Sequence, residues 1–332
     1  MTHQEMKAIV NTAPGKLKLL THLLPQPGAG WVRIRTRAVG VCSTDLKMIA
    51  GWKRTSFPAV PGHEWCGTVD ASGTGVNPAL AGRLCVADNM IPGGEVGFEH
   101  PGGFAEYFLT RAENLYPLPD RFPTHQAVLI EPLAVCLHAL DRVKIEKESP
   151  VLIFGDGPIG LLLLTVLRQR GVKTIWLVGG QPNRLAAARE LGAGEVIDYH
   201  EVSQQSFPGP GKINSQGFPT IIEASGAASA LSRAFDLAPH RGRILVLGDY
   251  SNARADFLWD DLLHREIEIA GSNASAGAWL AAVRLALDGI LPLEKFITHR
   301  FPYTQFSEAV EMTAKHKEQC IKVVLEWPAA GK

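Results

Sequence analysis

The segment Val151–Arg170 constrains this chain more than any other. Four β-formers, VLIF, run directly into Gly155-Asp156-Gly157-Pro158-Ile159-Gly160, and an apolar run of helical length follows. A GxGxxG placed between a strand and a helix opens a βαβ unit of the kind that holds a dinucleotide. The first glycine permits the tight turn, the second lets backbone approach a pyrophosphate, and the third lets helix and strand pack closely. The N-terminus of the helix then offers unpaired N–H groups to the phosphates. Gly155, Gly157, Pro158, Ile159 and Gly160 are therefore candidate cofactor-binding residues. Asp156 would place a carboxylate beside a pyrophosphate, so its side chain is expected to point away. A glycine turn without a ligand is the plain alternative, and the strand–turn–helix setting weighs against it.

The chain continues in the same rhythm. Thr174–Val178, Glu195–Ile197, Thr220–Glu223 and Arg243–Leu247 read as short apolar strands. Asn183–Leu191, ending at Gly192, and Ala228–Leu237 read as helices. Strands alternating with helices imply a doubly wound parallel sheet with right-handed crossovers. Ser203–Gly217, rich in Ser, Gln, Gly and Pro, reads as a surface loop. The first third is different: Trp31–Val39 and Gly82–Ala87 read as strands broken by Pro61-Gly62 and Pro101-Gly102-Gly103. A helical run follows over Thr124–Leu140, with Thr124 as its N-cap. After about Gly289 the pattern is mixed again and closes on a strand over Cys320–Trp327. A length of 332 residues accommodates two domains comfortably. The expected division is a β-rich catalytic domain, 1–148 with 289–332, into which a dinucleotide-binding domain, 149–288, is inserted.

The second strand of a dinucleotide fold usually ends in an acid that bonds the ribose 2′-hydroxyl. Here it ends Val178-Gly179-Gly180-Gln181-Pro182-Asn183-Arg184, with no carboxylate. Gly179 stands where the acid should be, Gly180 leaves room, and Arg184 could offer a charged fork to a 2′-phosphate. This pattern tilts the expected cofactor slightly towards NADP over NAD. Arg184 reads equally as a solvated residue of the first helical turn.

Three turns in the first half carry thiol, imidazole and carboxylate groups: Gly40-Val41-Cys42-Ser43-Thr44-Asp45, Pro61-Gly62-His63-Glu64 and Leu129-Ile130-Glu131-Pro132. A catalytic zinc takes such donors and keeps one position open. Cys42, His63, Glu64 and Glu131 are the candidate metal ligands, with Glu64 and Glu131 also placed for proton chemistry. Thr44 could relay a hydroxyl proton, and Asp45 could hold the His63 ring. Each has a plainer reading taken alone: a buried thiol, a turn histidine, an acid at a helix start. Their joint presence ahead of a dinucleotide fold raises all of them.

The remaining classes are excluded by charge and hydropathy. Lys plus Arg and Asp plus Glu each number 33, so no global field draws the chain to nucleic acid or an anionic membrane. The longest apolar run, Ile159–Leu167, is too short to span a bilayer, and Met1–Met6 lacks a signal-peptide pattern. Five scattered cysteines, Cys42, Cys66, Cys85, Cys136 and Cys320, read as reduced thiols, one or two of which could ligate metal. The cytoplasm is the expected compartment.

By these motifs the chain resembles the zinc-dependent medium-chain dehydrogenase/reductase family, in its polyol, threonine and cyclitol dehydrogenase branch. The resemblance also rests on Gly-Gly-Phe-Ala-Glu-Tyr at 102–107, Glu-Pro-Leu-Ala-Val at 131–135, Ile-Glu-Ala-Ser-Gly at 222–226 and Lys-Val-Val-Leu at 322–325. It implies a GroES-like catalytic domain beside a Rossmann domain, and hydride transfer between a nicotinamide cofactor and a small secondary alcohol or ketone. By the same resemblance Cys42, His63 and Glu64 are the zinc ligands, Glu131 sits beside the zinc, and Thr44 is the relay. Many relatives hold a second, structural zinc on four cysteines; the lobe Cys85–His100 holds only Cys85, so one zinc is expected. A homodimer or homotetramer is implied as well. A zinc-independent reductase of the same fold and a catalytically silent nucleotide-binding protein stay open as alternatives. Trp52, Phe98 and Trp259 are candidate pocket-lining aromatics.

Overall fold

The computed structural model describes residues 4–201 and 217–329. Apart from Gly217, the expected Ser203–Gly217 loop lies outside the described residues. The chain forms two compact units, one of residues up to Glu131 together with those from Pro292 onward, the other of Pro132–Leu291. The first exchange falls within the helix Ile130–Leu140 rather than near position 148. The reason is that the body of this helix packs with the second unit: the Cys136 thiol donates to the Ile159 carbonyl.

The second unit is built on a six-stranded parallel sheet. Its spatial order is Glu195–Asp198, Ile175–Gly179, Val151–Phe154, Thr220–Glu223, Arg243–Val246 and Glu268–Gly271. Relative to the chain this is the order 3-2-1-4-5-6 of a dinucleotide-binding sheet, with its switch point beside the first strand. Val151–Phe154 is buried throughout, as a central parallel strand covered on both faces must be. Pro158–Gln169 starts with Pro158 in its first turn, where a missing N–H costs nothing, and buries Gly160 to Leu167. The last strand, Glu268–Gly271, lies at the sheet edge, and its short mixed sequence carries no periodic signal.

The first unit is organised by the long strand Trp31–Val41, whose alternate residues from Val32 to Ala38 are buried. On one side it pairs antiparallel with Trp65–Ser72 from Val32 to Val39. On the other it pairs antiparallel with Tyr107–Arg111 at its N-terminal end and with the chain's final strand, Lys322–Glu326, at its C-terminal end, in the register Val41↔Val323. The expected single helix over Thr124–Leu140 is two helices, Thr124–Ala127 and Ile130–Leu140. The N-cap is Pro123 rather than Thr124, because Pro123 keeps an extended backbone and Thr124 already turns into the helix.

Candidate functional site

Two ladders and one short helix assemble the site of the first unit. Cys42 follows the end of Trp31–Val41 and is the N-cap of the helix Ser43–Ala50. His63 and Glu64 precede Trp65–Ser72, and the Gly40 N–H donates to the Glu64 carbonyl at 2.7 Å. Lys322 opens the final strand, one residue before the Val323↔Val41 pair, and so arrives beside Cys42 from the opposite side. The Glu64 side chain crosses over Gly40 to reach it: a Cβ on Gly40 would lie 2.3 Å from Glu64 Oε2. Lys322 Nζ donates to both Glu64 oxygens, at 2.8 and 2.6 Å, and both side chains are 2% exposed.

Asp45 is the organiser. Its Oδ2 accepts from the Cys42 N–H at 2.8 Å and its Oδ1 from the Gly62 N–H at 3.2 Å, while His63 Nδ1 lies 3.3 Å from Oδ1. That last contact is at ion-pair distance but off the line of a good hydrogen bond. One fully buried carboxylate thus ties together the turns that carry Cys42 and His63. Asn89 completes the frame by donating to the His63 carbonyl while accepting from the Trp65 indole. Phe98 lies against the imidazole with centroids 4.9 Å apart, and the Arg54 guanidinium lies over Phe98 while paired to Glu95 and Glu99.

Ligand atoms of Cys42, His63 and Glu64 lie within 4.8 Å of one another, and this is the only such group among the described residues. A thiol, an imidazole and a carboxylate, with Nδ1 facing Asp45 and Nε2 left for another partner, fit the donor chemistry of zinc. Glu131, in the first turn of Ile130–Leu140, is half-buried and does not join the group. Burial pushes its carboxyl up to about 7; the charge of Glu64 adds to this, and His63 and Lys322 oppose it. Burial also works against the His63 imidazolium, but Asp45 and Cys42 reverse that and raise it overall. For Lys322, burial is likewise outweighed, mainly by Glu64, and its ammonium is held. Thr44 is half-buried in the first turn after Cys42, and no hydrogen bond engages its hydroxyl among the described residues.

In the second unit the first and third glycines of the turn are required by backbone geometry. Gly155 takes φ +120°, and a Cβ there would sit 2.8 Å from the Ala224 backbone. A Cβ on Gly160 would come within 1.9 Å of the Gly155 carbonyl, so helix and strand touch only because none exists. A Cβ on Gly157 would meet nothing within 4 Å, so the turn leaves an open cradle there. Pro158 and Ile159 form the first turn behind it. Asp156 does turn away from this cradle, and Gly180, Gln181 and Arg184 enter the helix Pro182–Glu190, where Arg184 is buried rather than solvated. Of the aromatics, Trp52 and Phe98 belong to the first unit, whereas Trp259 lies in the second and is 71% exposed. Cys66, Cys85, Cys136 and Cys320 are buried thiols that form no disulfide among the described residues, and burial pushes Cys66 up to about 12 against the charge of Arg37.

Two residues were missed by the sequence reading. Lys322 was visible only as the first residue of Lys-Val-Val-Leu, with nothing local to give it a role, since a lysine at a strand start is ordinarily solvated. Glu223 ends the fourth strand of the chain's parallel sheet and accepts from the Ser225, Gly226 and Tyr250 donors, which pins the loops at that end. Its place in Ile-Glu-Ala-Ser-Gly was visible only as a motif.

Residues 28–120 match the model of the alcohol dehydrogenase GroES-like domain and residues 158–288 that of zinc-binding dehydrogenase. The chain therefore belongs to the zinc-type medium-chain alcohol dehydrogenase family. It is 28% identical to the starvation-sensing protein RspB of Escherichia coli K12, covering 96% of this chain and 99% of that one. It is also 28% identical to D-arabitol-phosphate dehydrogenase of Enterococcus avium, covering 97% of each. Among solved structures, a short chain alcohol dehydrogenase (rspB) of E. coli CFT073 complexed with NADH superposes with a TM-score of 0.91 at 26% identity, covering 97% of this chain and 99% of that one. A Sinorhizobium meliloti 1021 protein bound to NADP does so with a TM-score of 0.91 at 26% identity, covering 98% and 100%. No helix among the described residues is long and apolar enough to cross a membrane.

Proposed function

We propose that this oxidoreductase transfers a hydride between a nicotinamide dinucleotide and the secondary alcohol or ketone of a polyol, cyclitol or amino-alcohol, with one zinc per chain. The observation that carries the reading is the grouping of Cys42, His63 and Glu64 within 4.8 Å. These three would hold the metal, with Glu131 beside it. Bound there, zinc supplies Lewis acidity that lowers the pKa of a substrate hydroxyl. The chain's own residues do the rest. Asp45 orients the imidazole, Lys322 balances the Glu64 charge, and Gly155 to Gly160 with the N-terminus of the following helix receive the pyrophosphate. Thr44, two residues past Cys42, takes the hydroxyl proton onward. The polyol relatives support the substrate class.

The test combines elemental analysis with a panel of linear polyols, cyclitols and amino alcohols, each offered with NAD and NADP. About one zinc per chain and dinucleotide reduction with at least one class is expected. Activity without metal would place the chain with zinc-independent reductases, and tight dinucleotide binding without turnover would make it a silent binder.

Thr44→Val tests the relay. It removes a hydroxyl of little structural consequence, so metal and dinucleotide should stay bound while turnover falls roughly 10²-fold or more, the lower range for a positioned proton-transfer group. Unchanged turnover would assign the proton to Glu64 or Glu131.

A further inference from the structure

We infer that Asp156, from the glycine turn, supplies the carboxylate missing from the end of the second strand, and that it makes this chain prefer NAD over NADP. The inference rests on the proposed dinucleotide site and reverses the slight tilt towards NADP that Gly179 suggests in the sequence. An ideal Cβ on Gly179 would lie 2.4 Å from Asp156 Cβ and 2.5 Å from its Oδ2. The volume of a side chain at 179 is thus already filled, by an acid arriving from another element. Gly179 is glycine because Asp156 is there.

The same carboxylate consumes the donors a 2′-phosphate would need. Asp156 Oδ2 accepts from the Gly180 and Gln181 N–H groups, both at 2.8 Å. These are the free amides leading into the helix Pro182–Glu190, and Pro182 at its first position has no N–H to add. On the other side the corner is covered by Tyr199: a Cβ on Gly180 would lie 2.4 to 2.7 Å from its ring and hydroxyl atoms. Arg184, the expected phosphate partner, is buried and already engaged in an interaction of its own. A phosphate at this corner therefore meets a negative charge and occupied amides, and the guanidinium of Arg184 is buried. A ribose with two hydroxyls meets an acceptor instead, since no hydrogen bond reaches Asp156 Oδ1 among the described residues and the residue is half-buried.

The test is equilibrium binding of NADH and NADPH, followed by energy transfer from protein tryptophan to the reduced nicotinamide, so that no turnover is required. The wild-type chain is expected to bind NADH about tenfold or more tightly than NADPH. Asp156→Asn keeps an oxygen that can accept the two amide bonds and removes the charge, so the ratio should fall about tenfold, chiefly by a gain for NADPH. The relocated acid, Asp156→Gly with Gly179→Asp, should restore the NADH preference. Gly179→Asp alone should weaken both dinucleotides, because its side chain collides with Asp156. A thermal melt of each variant identifies loss of fold. Equal or tighter NADPH binding by the wild type, or an unchanged ratio in Asp156→Asn, overturns the assignment while leaving the dinucleotide site standing. Failure of the wild type to bind either dinucleotide overturns the functional reading and the assignment with it.

Discussion

Replacing Cys42 with serine is expected to empty the metal site and to lower turnover by roughly 10⁴-fold or more, the largest effect of any single substitution in this chain. A thiolate is the strongest of the three donors for zinc, and a serine hydroxyl does not ionise to replace it near neutrality. The surrounding frame gives no substitute. Cys66, at the near end of the neighbouring strand, is buried and held far from ionisation, and Asp45 is committed to the Cys42 and Gly62 amides. The fold itself should survive, since the Asp45 carboxylate accepts from the Cys42 backbone N–H, which serine keeps, and a serine oxygen caps a helix at least as well as a thiol. The checks are zinc by elemental analysis, turnover with the best substrate, and a melting curve. Full zinc occupancy in Cys42→Ser would remove Cys42 from the ligand set.

Lys322→Met should destabilise the metal-free protein by about 3–5 kcal/mol, because it leaves the Glu64 carboxylate buried and unpaired. The pair is 2% exposed on both sides, and Lys322 donates to both carboxylate oxygens, so water cannot replace the lost partner. Adding Glu64→Gln to Lys322→Met removes the charge and should recover about 1 kcal/mol or more, the difference between a buried charge and a buried amide. Zinc should narrow the gap between Lys322→Met and wild type, since a cation beside Glu64 supplies part of what the lysine did. Urea unfolding of the three proteins with and without zinc measures all of this. If Lys322→Met lies within about 1 kcal/mol of wild type without metal, Lys322 does not counterbalance Glu64 as the geometry requires.

These two results bear on different layers of information. The dinucleotide unit was legible because its signals are local. VLIF, the glycine turn and the apolar helix lie within 20 residues of one another, and each is dictated by backbone geometry that a neighbour in sequence enforces. The strand Thr220–Glu223 and the helix Ala228–Leu237 fall where their patterns put them, for the same reason. Glu268–Gly271 did not, because a four-residue edge strand with exposed residues on both faces has no alternation to read.

The sequence by itself determined the donor types of the candidate site and the turns that carry them: Cys42, His63 and Glu64 follow from motifs, and Gly155 to Gly160 from spacing. Only the tertiary structure decided which charges face them. Lys322 meets Glu64 across 258 positions because two strands flank Trp31–Val41 on opposite sides and Gly40 leaves a gap between them. Asp156 fills the place of a side chain at 179 because parallel pairing of Val151–Phe154 with Ile175–Gly179 sets their ends side by side. An empty position in a sequence says that a residue lacks a side chain; packing decides whether the space it leaves is vacant, and here an acid from the adjoining turn occupies it.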